Sequence, residues 1–337
     1  MQQPRVSVAL CTYNGAQWLE EQIRSILAQT VPVFEIVVGD DNSSDETLAI
    51  LERLRSTSKI PIVVRAHKPA LGTSANFLDA IHACSGEVVA LSDQDDVWHE
   101  RKIEQMLPLF EDPNVLLVHS DARLVDGSGR PLRHSLAESL EMNAGERAGL
   151  ERGDALEILL RRNLVTGATV LLRRTLAESV QTVPDAWVHD EWLALIAASR
   201  GGLRFLPLPL IDYRQHETNQ IGVSKPGLRV KITKLLGADP ARIDRIARRG
   251  RSLAAALREC ELFPEIARRK LQQKAEHMSA RAALPRRRFA RLVPVIRLSR
   301  DGRYRSYTRG HIDIARDLFE MRTFGASSGD NVNSSYS

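Results

Sequence analysis

Three carboxylates crowd the segment Val88–Trp98, VVALSDQDDVW: Asp93, Asp95 and Asp96. Val88 to Leu91 is a short apolar run suited to a covered strand, and the acids follow at once. In an open α/β sheet the carboxyl ends of the strands form the ligand crevice. Hard divalent cations take oxygen ligands, and a phosphorylated substrate completes their shell. The chemistry on offer is a metal–diphosphate site. A plain acidic turn is the competing reading, because Asp and Ser are frequent turn formers. Asp93 and Asp95 lie two apart and share one side of an extended segment, whereas Asp96 faces the other way. That spacing sends Asp93 and Asp95 to the ligand and gives Asp96 a structural or sugar-contacting role.

The elements that must position this loop are legible upstream. Strands are expected at Val6 to Leu10, Phe34 to Val38, Ile62 to Arg65 and Val88 to Leu91. Between them, Ala16–Gln29, Thr47–Arg55 and Ala75–Ala83 carry apolar residues at helical spacing. Strand, turn and helix repeat every ~25–30 residues, the signature of βαβ units in a largely parallel sheet. Polar residues load three strand ends: Thr12, Tyr13 and Asn14; Asp40 and Asp41; then Asp93, Asp95 and Asp96. Asp40 reads as structural. The first turn, TYNGA, has one glycine, so it is no dinucleotide fingerprint, and no P-loop pattern is present. Those gaps weigh against a classical NAD site, a P-loop kinase and a nucleotidyltransferase.

Further along, a helix is expected over Arg101–Phe110, a strand over Val115–Ser120 and a turn at Asp126–Gly129. From Arg133 to about Gly153 the pattern weakens, and a lid, crossing segment or acceptor loop is expected. A short helix at Ala155–Leu160, a strand at Ala168–Leu172 and a helix at Trp187–Ser199 follow, the last opening on His189, Asp190 and Glu191. Arg161 and Arg162 read as a solvated pair. Ile211 to Asn219 is a strand end passing into a polar loop.

The chain has 337 residues, 43% hydrophobic and 26% charged, which fits one large soluble domain with an appendage. Cys11, Cys84 and Cys260 stand far apart, so neither a disulfide framework nor paired metal-ligand spacing is expected, and a reducing compartment is the default. The opening MQQPRVSVAL lacks the pattern of a signal peptide, and no stretch has the length of a bilayer span. The net charge of +5 hides an asymmetry. Lys225 to Arg309 holds 24 Lys and Arg against 7 Asp and Glu, whereas the remainder holds 23 against 35. The basic region has amphipathic helical spacing and no aromatic interleaving, so nucleic acid is disfavoured and contact with an anionic membrane through residues 225–310 is expected. A solvated helical extension or a homo-oligomerisation module is the alternative.

The motifs TYNG at 12–15, GDDNSSDET at 39–47, SDQDDVW at 92–98, HDEW at 189–192 and QHETNQIG at 215–222 resemble family-2 glycosyltransferases of GT-A fold, in particular a bacterial rhamnosyltransferase-like branch. The resemblance covers about residues 5 to 222. It implies an α/β fold: a Rossmann-like mixed, mainly parallel sheet flanked by helices, in a domain over 1–222. A basic, mainly helical extension over 223–324 and a disordered tail over 325–337 complete the expected organisation. It further implies a nucleotide-diphospho-sugar donor, a divalent Mg²⁺ or Mn²⁺, and a glycan or lipid-linked acceptor of cell-surface polysaccharide. Such a protein would work in the cytoplasm or at the inner face of the cytoplasmic membrane.

By the same resemblance, Thr12, Tyr13 and Asn14 contact the donor nucleotide, Asp41 holds the base, and Asn76 faces the nucleotide. Asp93 sits near ribose or the metal, Asp95 holds the metal at the diphosphate, and His216 closes over the metal. Asp190 matches the general base of inverting members. A carboxylate beside an acceptor hydroxyl can take its proton during attack. At a helix start Asp190 could instead serve as a cap. His189 is expected to be positional. Asp96, Trp98 and Trp192 are expected to support the site or touch the sugar, although either tryptophan suits a core equally well. The activity implied is transfer of rhamnose from dTDP-rhamnose with inversion. A UDP-hexose donor, or a non-catalytic nucleotide-sugar binding or scaffold protein, are the alternatives.

Overall fold

The computed structural model describes residues 3–216, 240–259 and 261–320. The expected tail over 325–337, the start of the basic extension over 223–239 and the QHETN loop beyond His216 lie outside the described residues.

Contacts divide the chain into two compact units, Met1–Lys225 with Cys260–Arg268, and Pro226–Glu259 with Arg269–Ser337. The first unit is built on a nine-stranded sheet of order β3-β2-β1-β4-β8-β6-β9-β5, with β7 paired to β6. Its strands are β1 Val6–Thr12, β2 Glu35–Asp40, β3 Ile62–Ala66, β4 Val88–Ser92, β5 Val97–Trp98, β6 Leu117–Asp126, β7 Pro131–Ser135, β8 Val170–Arg173 and β9 Leu203–Gln215. Around them lie α1 Leu19–Leu27, α2 Thr47–Thr57, α3 Thr73–Ala83, α4 Lys102–Met106, α5 Leu136–Ser139, α6 Ala144–Arg152, α7 Ala155–Leu159, α8 Arg174–Glu178 and α9 His189–Ser199.

The four strands read from apolar runs are the four that pair in parallel at one side of the sheet. β1, β2 and β4 are buried along their whole length, which is why they read as continuous apolar runs rather than alternating ones. Helices α1 and α2 bury residues at spacings of three and four, among them Leu19, Ile23 and Ile26, then Thr47, Leu51 and Leu54. Register aligns the strand ends: Thr12 pairs with Asp40 and Leu10 with Ser92. The polar residues after β1, β2 and β4 therefore share one sheet edge.

Beyond β4 the sheet becomes mixed. β8 is antiparallel to both β4 and β6, β5 is antiparallel to β9, and β6 runs parallel to β9. The segment over 133–153, expected as a lid, crossing segment or acceptor loop, carries regular elements. β7 returns on β6, and α5 and α6 each start with a capping box, Ser135 with Glu138 and Asn143 with Glu146. Arg162 is also corrected. It is no solvated residue but bonds Glu146 and the carbonyls of Leu140 and Glu141. α9 buries nine of its eleven residues, as an apolar helix enclosed on all sides must.

The second unit is helical, with α10 Pro240–Glu259, most of α11 Glu265–Ala282, α12 Leu292–Arg300, α13 Arg303–Tyr307 and α14 His311–Phe319. A charged network lies inside it. Asp317 accepts from Arg242, Arg281 and the Tyr304 hydroxyl, and the fully buried Arg291 donates to the Asp317 and Glu320 carbonyls. Buried ions persist only when paired in this way. Among the described residues no helix is long and apolar enough to cross a membrane.

Candidate active site

The acidic loop between β4 and β5 is held from three directions. β5 pins its far end to β9, with Val97 opposite Asp212 and Trp98 opposite Ile211. Gln94 reaches the turn after β1: its Oε1 accepts from Thr12 Oγ1 at 2.6 Å and Tyr13 N at 2.9 Å, and its Nε2 donates to Tyr13 O at 3.1 Å. Gly15 leaves room for this clamp, since a Cβ there would stand 2.2 Å from Gln94 Oε1. Arg214, near the end of β9, donates from Nε to the Asp95 carbonyl at 2.8 Å and from Nη2 to Glu21.

The three acids have different surroundings. Asp95 Oδ2 lies 2.7 Å from His216 Nε2, and the His216 ring stacks on Trp18 at 4.2 Å. Asp96 turns inward. Its Oδ1 accepts from Arg214 N at 3.0 Å, and its Oδ2 is buried without a hydrogen-bond partner. Burial, then the charges of Asp95 and Asp93, push the Asp96 carboxyl well up. Asp93 is pushed up to about 7 by burial first, then by the charges of Asp95 and Asp190, with Lys102 opposing.

Asp190 closes the group from the first turn of α9. Its Oδ2 accepts from Gly167 N at 2.8 Å and its Oδ1 from Glu191 N at 2.7 Å. Burial outweighs these bonds and raises its pKa to about 6. Gly167 lies against both residues: a Cβ there would meet Asp190 Oδ2 and His189 Nε2 at 3.4 Å, an ordinary contact distance. His189 stacks on Phe77 at 4.0 Å, and burial pushes it down to about 3, so it stays neutral. The phenol of Tyr213 is driven well up by burial and by the charges of Asp93, Asp96, Asp95 and Asp190 together. One buried hydroxyl thus feels all four carboxylates.

Lys102 is the cation beneath them. It is wholly buried on α4, donates from Nζ to Ala168 O at 2.8 Å and lies 3.9 Å over the Trp98 ring. Burial lowers its pKa to about 7, with Asp96 and Asp93 acting against that shift. Gln94, Lys102, Arg214 and Gly167 carry no signal that sequence reasoning had used. Only Gln94, set between the acids, stood within an expected motif.

The residues expected to meet the nucleotide divide. Thr12 is buried under Gln94, while the Tyr13 side chain is 52% exposed at the sheet edge. Asn14 joins two loops, donating from N to Ser43 Oγ at 2.9 Å and accepting from Ser44 N at 2.8 Å. Asp41 spans the start of α3, accepting from Leu71 N at 2.6 Å and Gly72 N at 3.0 Å. Asp40 is buried and accepts from Ser43 N and Oγ. Asn76 does not face outward. It is buried and donates to Gly39 O at 2.9 Å, so it locks α3 to β2. Trp98 and Trp192 are core residues at 3% and 1% exposure, which corrects their expected sugar contact. Trp192 packs edge-on against Trp187 and Phe263. Trp192 lies on a helix enclosed on all sides and Trp98 packs under Lys102, and that outweighed their place in a motif.

The sequence model of Glycosyl transferase family 2 matches residues 7–179, which is half of the chain. The chain belongs to glycosyl transferase family 2. The family match holds β1 to β4, the acidic loop and Gly167, and ends before Asp190 and His216. The chain is 27% identical over 221 residues to the dTDP-rhamnosyl transferase RfbG of Shigella flexneri, covering 64% of this chain and 74% of RfbG. It is 32% identical over 130 residues to an uncharacterized glycosyltransferase of Nostoc sp., spanning 38% of this chain and only 39% of that relative. A UDP-Glc:α-D-GlcNAc-diphosphoundecaprenol β-1,3-glucosyltransferase, WfgD of Escherichia coli, is 28% identical over 124 residues, 36% of this chain and 47% of WfgD.

Among solved structures, this family-2 chain resembles the mannosyltransferase PcManGT from Pyrobaculum calidifontis in complex with GDP-Man and Mn²⁺. The TM-score is 0.53 at 20% identity, covering 95% of this chain and 85% of that one. TarS 1–349 of S. aureus in complex with UDP-GlcNAc gives a TM-score of 0.51 at 18% identity, covering 93% and 89%. These likenesses establish the GT-A fold.

Proposed function

We propose that the chain is a divalent-metal-dependent, inverting glycosyltransferase that moves a sugar from a nucleotide-diphospho-sugar to a hydroxyl of a cell-surface or lipid-linked glycan. One observation carries the reading. Asp190 approaches the acidic loop from a separate element, and its charge acts on Asp93 and on Tyr213. A base and an anion-handling loop thereby share one buried site.

The donor set suits a hard divalent ion. Asp95 offers carboxylate oxygen and His216 imidazole nitrogen at one point, and the carboxylates around Lys102 outnumber it. Among the described residues no three His, Cys, Asp or Glu side chains converge as a ready-made cage. Asp95 and His216, with Asp93 behind them, would hold the ion while diphosphate oxygens fill its remaining positions. Bound Mg²⁺ or Mn²⁺ would supply charge neutralisation at the diphosphate.

The remaining steps fall to the chain itself. Tyr13, Asp41 and Asp93 bind the nucleotide side of the donor, with Thr12, Asn14 and Asn76 fixing the loops that carry them. Asp190 takes the proton of the acceptor hydroxyl as its oxygen bonds to the anomeric carbon. The bond from that carbon to the diphosphate oxygen breaks, and the nucleoside diphosphate departs with the electron pair. One displacement inverts the anomeric centre.

Rhamnose from dTDP-rhamnose is the proposed donor chemistry, because RfbG is matched over most of its length. A UDP-hexose is the second reading, on the likeness to WfgD. A screen of nucleotide sugars with Mn²⁺, read by release of nucleoside diphosphate, tests both. Release from dTDP-rhamnose alone is expected. Release from UDP-glucose alone would replace the donor, and no release or binding of any nucleotide sugar would sink the enzyme reading.

A further inference from the structure

The second unit carries an apolar stripe that its own core does not use. In α12 and the 3-10 turn before it, Phe289, Leu292, Val293 and Ile296 are all exposed, Phe289 by 96% and Val293 by 74%. Their spacing of three, four and seven places them on one side of a helix. The opposite side is already satisfied: Val295 joins Leu284 and Tyr304 in a small core, with Leu298 packed against it. An exposed apolar strip of this kind marks an interaction surface.

The charges beside the strip choose the partner. Arg287, Arg288, Arg297 and Arg300 are exposed around it. No Asp or Glu occurs from Ala283 to Arg300. A second copy seated here by two-fold symmetry would oppose guanidinium to guanidinium. An acidic protein groove would answer the arginines, but a single-sign cationic rim along an apolar ridge matches the layered chemistry of an anionic bilayer, with phosphate above and acyl chains below.

We infer that the face Phe289–Arg300 is a membrane-docking surface: the apolar stripe enters the headgroup–acyl boundary of an anionic bilayer and the flanking arginines bind lipid phosphates. The attachment is peripheral and depends on both halves. It does not rest on the proposed reaction.

The experiment is co-sedimentation of the full chain with vesicles of phosphatidylcholine, alone or with about 30% phosphatidylglycerol. Wild type should pellet with the anionic vesicles and stay in solution with the neutral ones. V293S/I296S and R287E/R288E should each weaken partition about tenfold or more, since each removes one of the two required attractions. All four positions are exposed, so the melting temperature should hold, and the arginine pair lies at and before the 3-10 turn, outside α12. Failure of wild type to bind anionic vesicles would overturn the inference. So would unchanged binding in either variant. Loss of a dimer in gel filtration, with vesicle binding unchanged, would assign the face to a second copy instead.

Discussion

Asp95 and His216 stand 121 positions apart in the chain and meet at 2.7 Å, oxygen to imidazole nitrogen. The meeting is arranged by two other contacts. Arg214, two residues before His216, holds the Asp95 carbonyl, and Trp18 stacks against the imidazole. The pair is therefore oriented by the ends of β9 and α1 rather than by the acidic loop alone.

His216→Ala should lower Mn²⁺ affinity by at least roughly 10–100-fold, the range seen even for outer-shell partners. Asp95→Ala should remove metal-stimulated turnover. Titration of Mn²⁺ into the nucleotide-bound protein, followed by electron paramagnetic resonance, measures the ion directly. Unchanged Mn²⁺ binding in both variants would remove the pair from the metal site.

Asp190→Asn retains shape while losing the base. Donor affinity should persist, and turnover should fall about 10²–10⁴-fold. The Asp190 pKa is raised to about 6, so the proton is lost only as pH climbs through that value. Turnover in the wild type should accordingly rise with pH through about 6 and then level. A pH-independent wild-type rate, or an active Asp190→Asn variant, would assign Asp190 to helix capping.

Gly15→Ala should disturb the donor loop and cost some stability. The added Cβ meets the far end of the flexible Gln94 side chain, and it also stands 2.7 Å from the hydroxyl of the buried Thr12, so both must shift. The three bonds of Gln94 to Thr12 and Tyr13 are then lost, and the donor loop is freed. The donor KM should rise several-fold, and the melting temperature should fall. An unaltered KM would show that Gln94 does not position the loop.

How much of this was legible follows from where each signal resides. β1, β2 and β4 announce themselves because each is buried along its length and polar residues mark their ends, while β3, exposed at three of its five residues, is read from its short apolar run. The antiparallel half is quieter: β5 has two residues, and β7 is largely exposed, so neither has a period to read. Helices α5 and α6 were legible in principle through Ser135-x-x-Glu138 and Asn143-x-x-Glu146, but weak apolar patterning hid them. α1 begins at Leu19 rather than Ala16, because Gly15 to Trp18 form a turn closed by Trp18 N on the Gly15 carbonyl. Lys102 gave no warning at all. Its sequence neighbours suit a solvated lysine, and only the long-range arrival of Asp93, Asp96 and Ala168 makes burial tolerable.

That burial makes Lys102 a test of how the acids are balanced. Lys102→Met keeps the stem but leaves the Ala168 carbonyl without its donor, at a cost of about 1–3 kcal/mol. It also deprives Asp96 and Asp93 of the opposing charge. Asp96→Asn in the same chain removes one of those charges, so the double variant should lose less than the sum of the single losses. The expected coupling is about 0.5–3 kcal/mol in urea denaturation. Strict additivity would mean that the lysine serves Ala168 alone.

His119 offers a pH test away from the site. It lies in β6, wholly buried against Phe205, and burial pushes it down to about 3 from an ordinary value of 6.5. The unfolded chain takes up this proton below about 6.5 and the folded one does not, so its contribution to stability falls as pH drops through that window. At pH 5 the loss amounts to about 2 kcal/mol relative to pH 8. Buried acids such as Asp93 and Asp190 act in the opposite direction over the same range, so the wild-type curve mixes the two. His119→Leu isolates the histidine: the difference in unfolding free energy between variant and wild type should shift by about 2 kcal/mol in favour of the variant from pH 8 to pH 5. A difference that stays constant with pH would show that His119 is protonated in the folded protein.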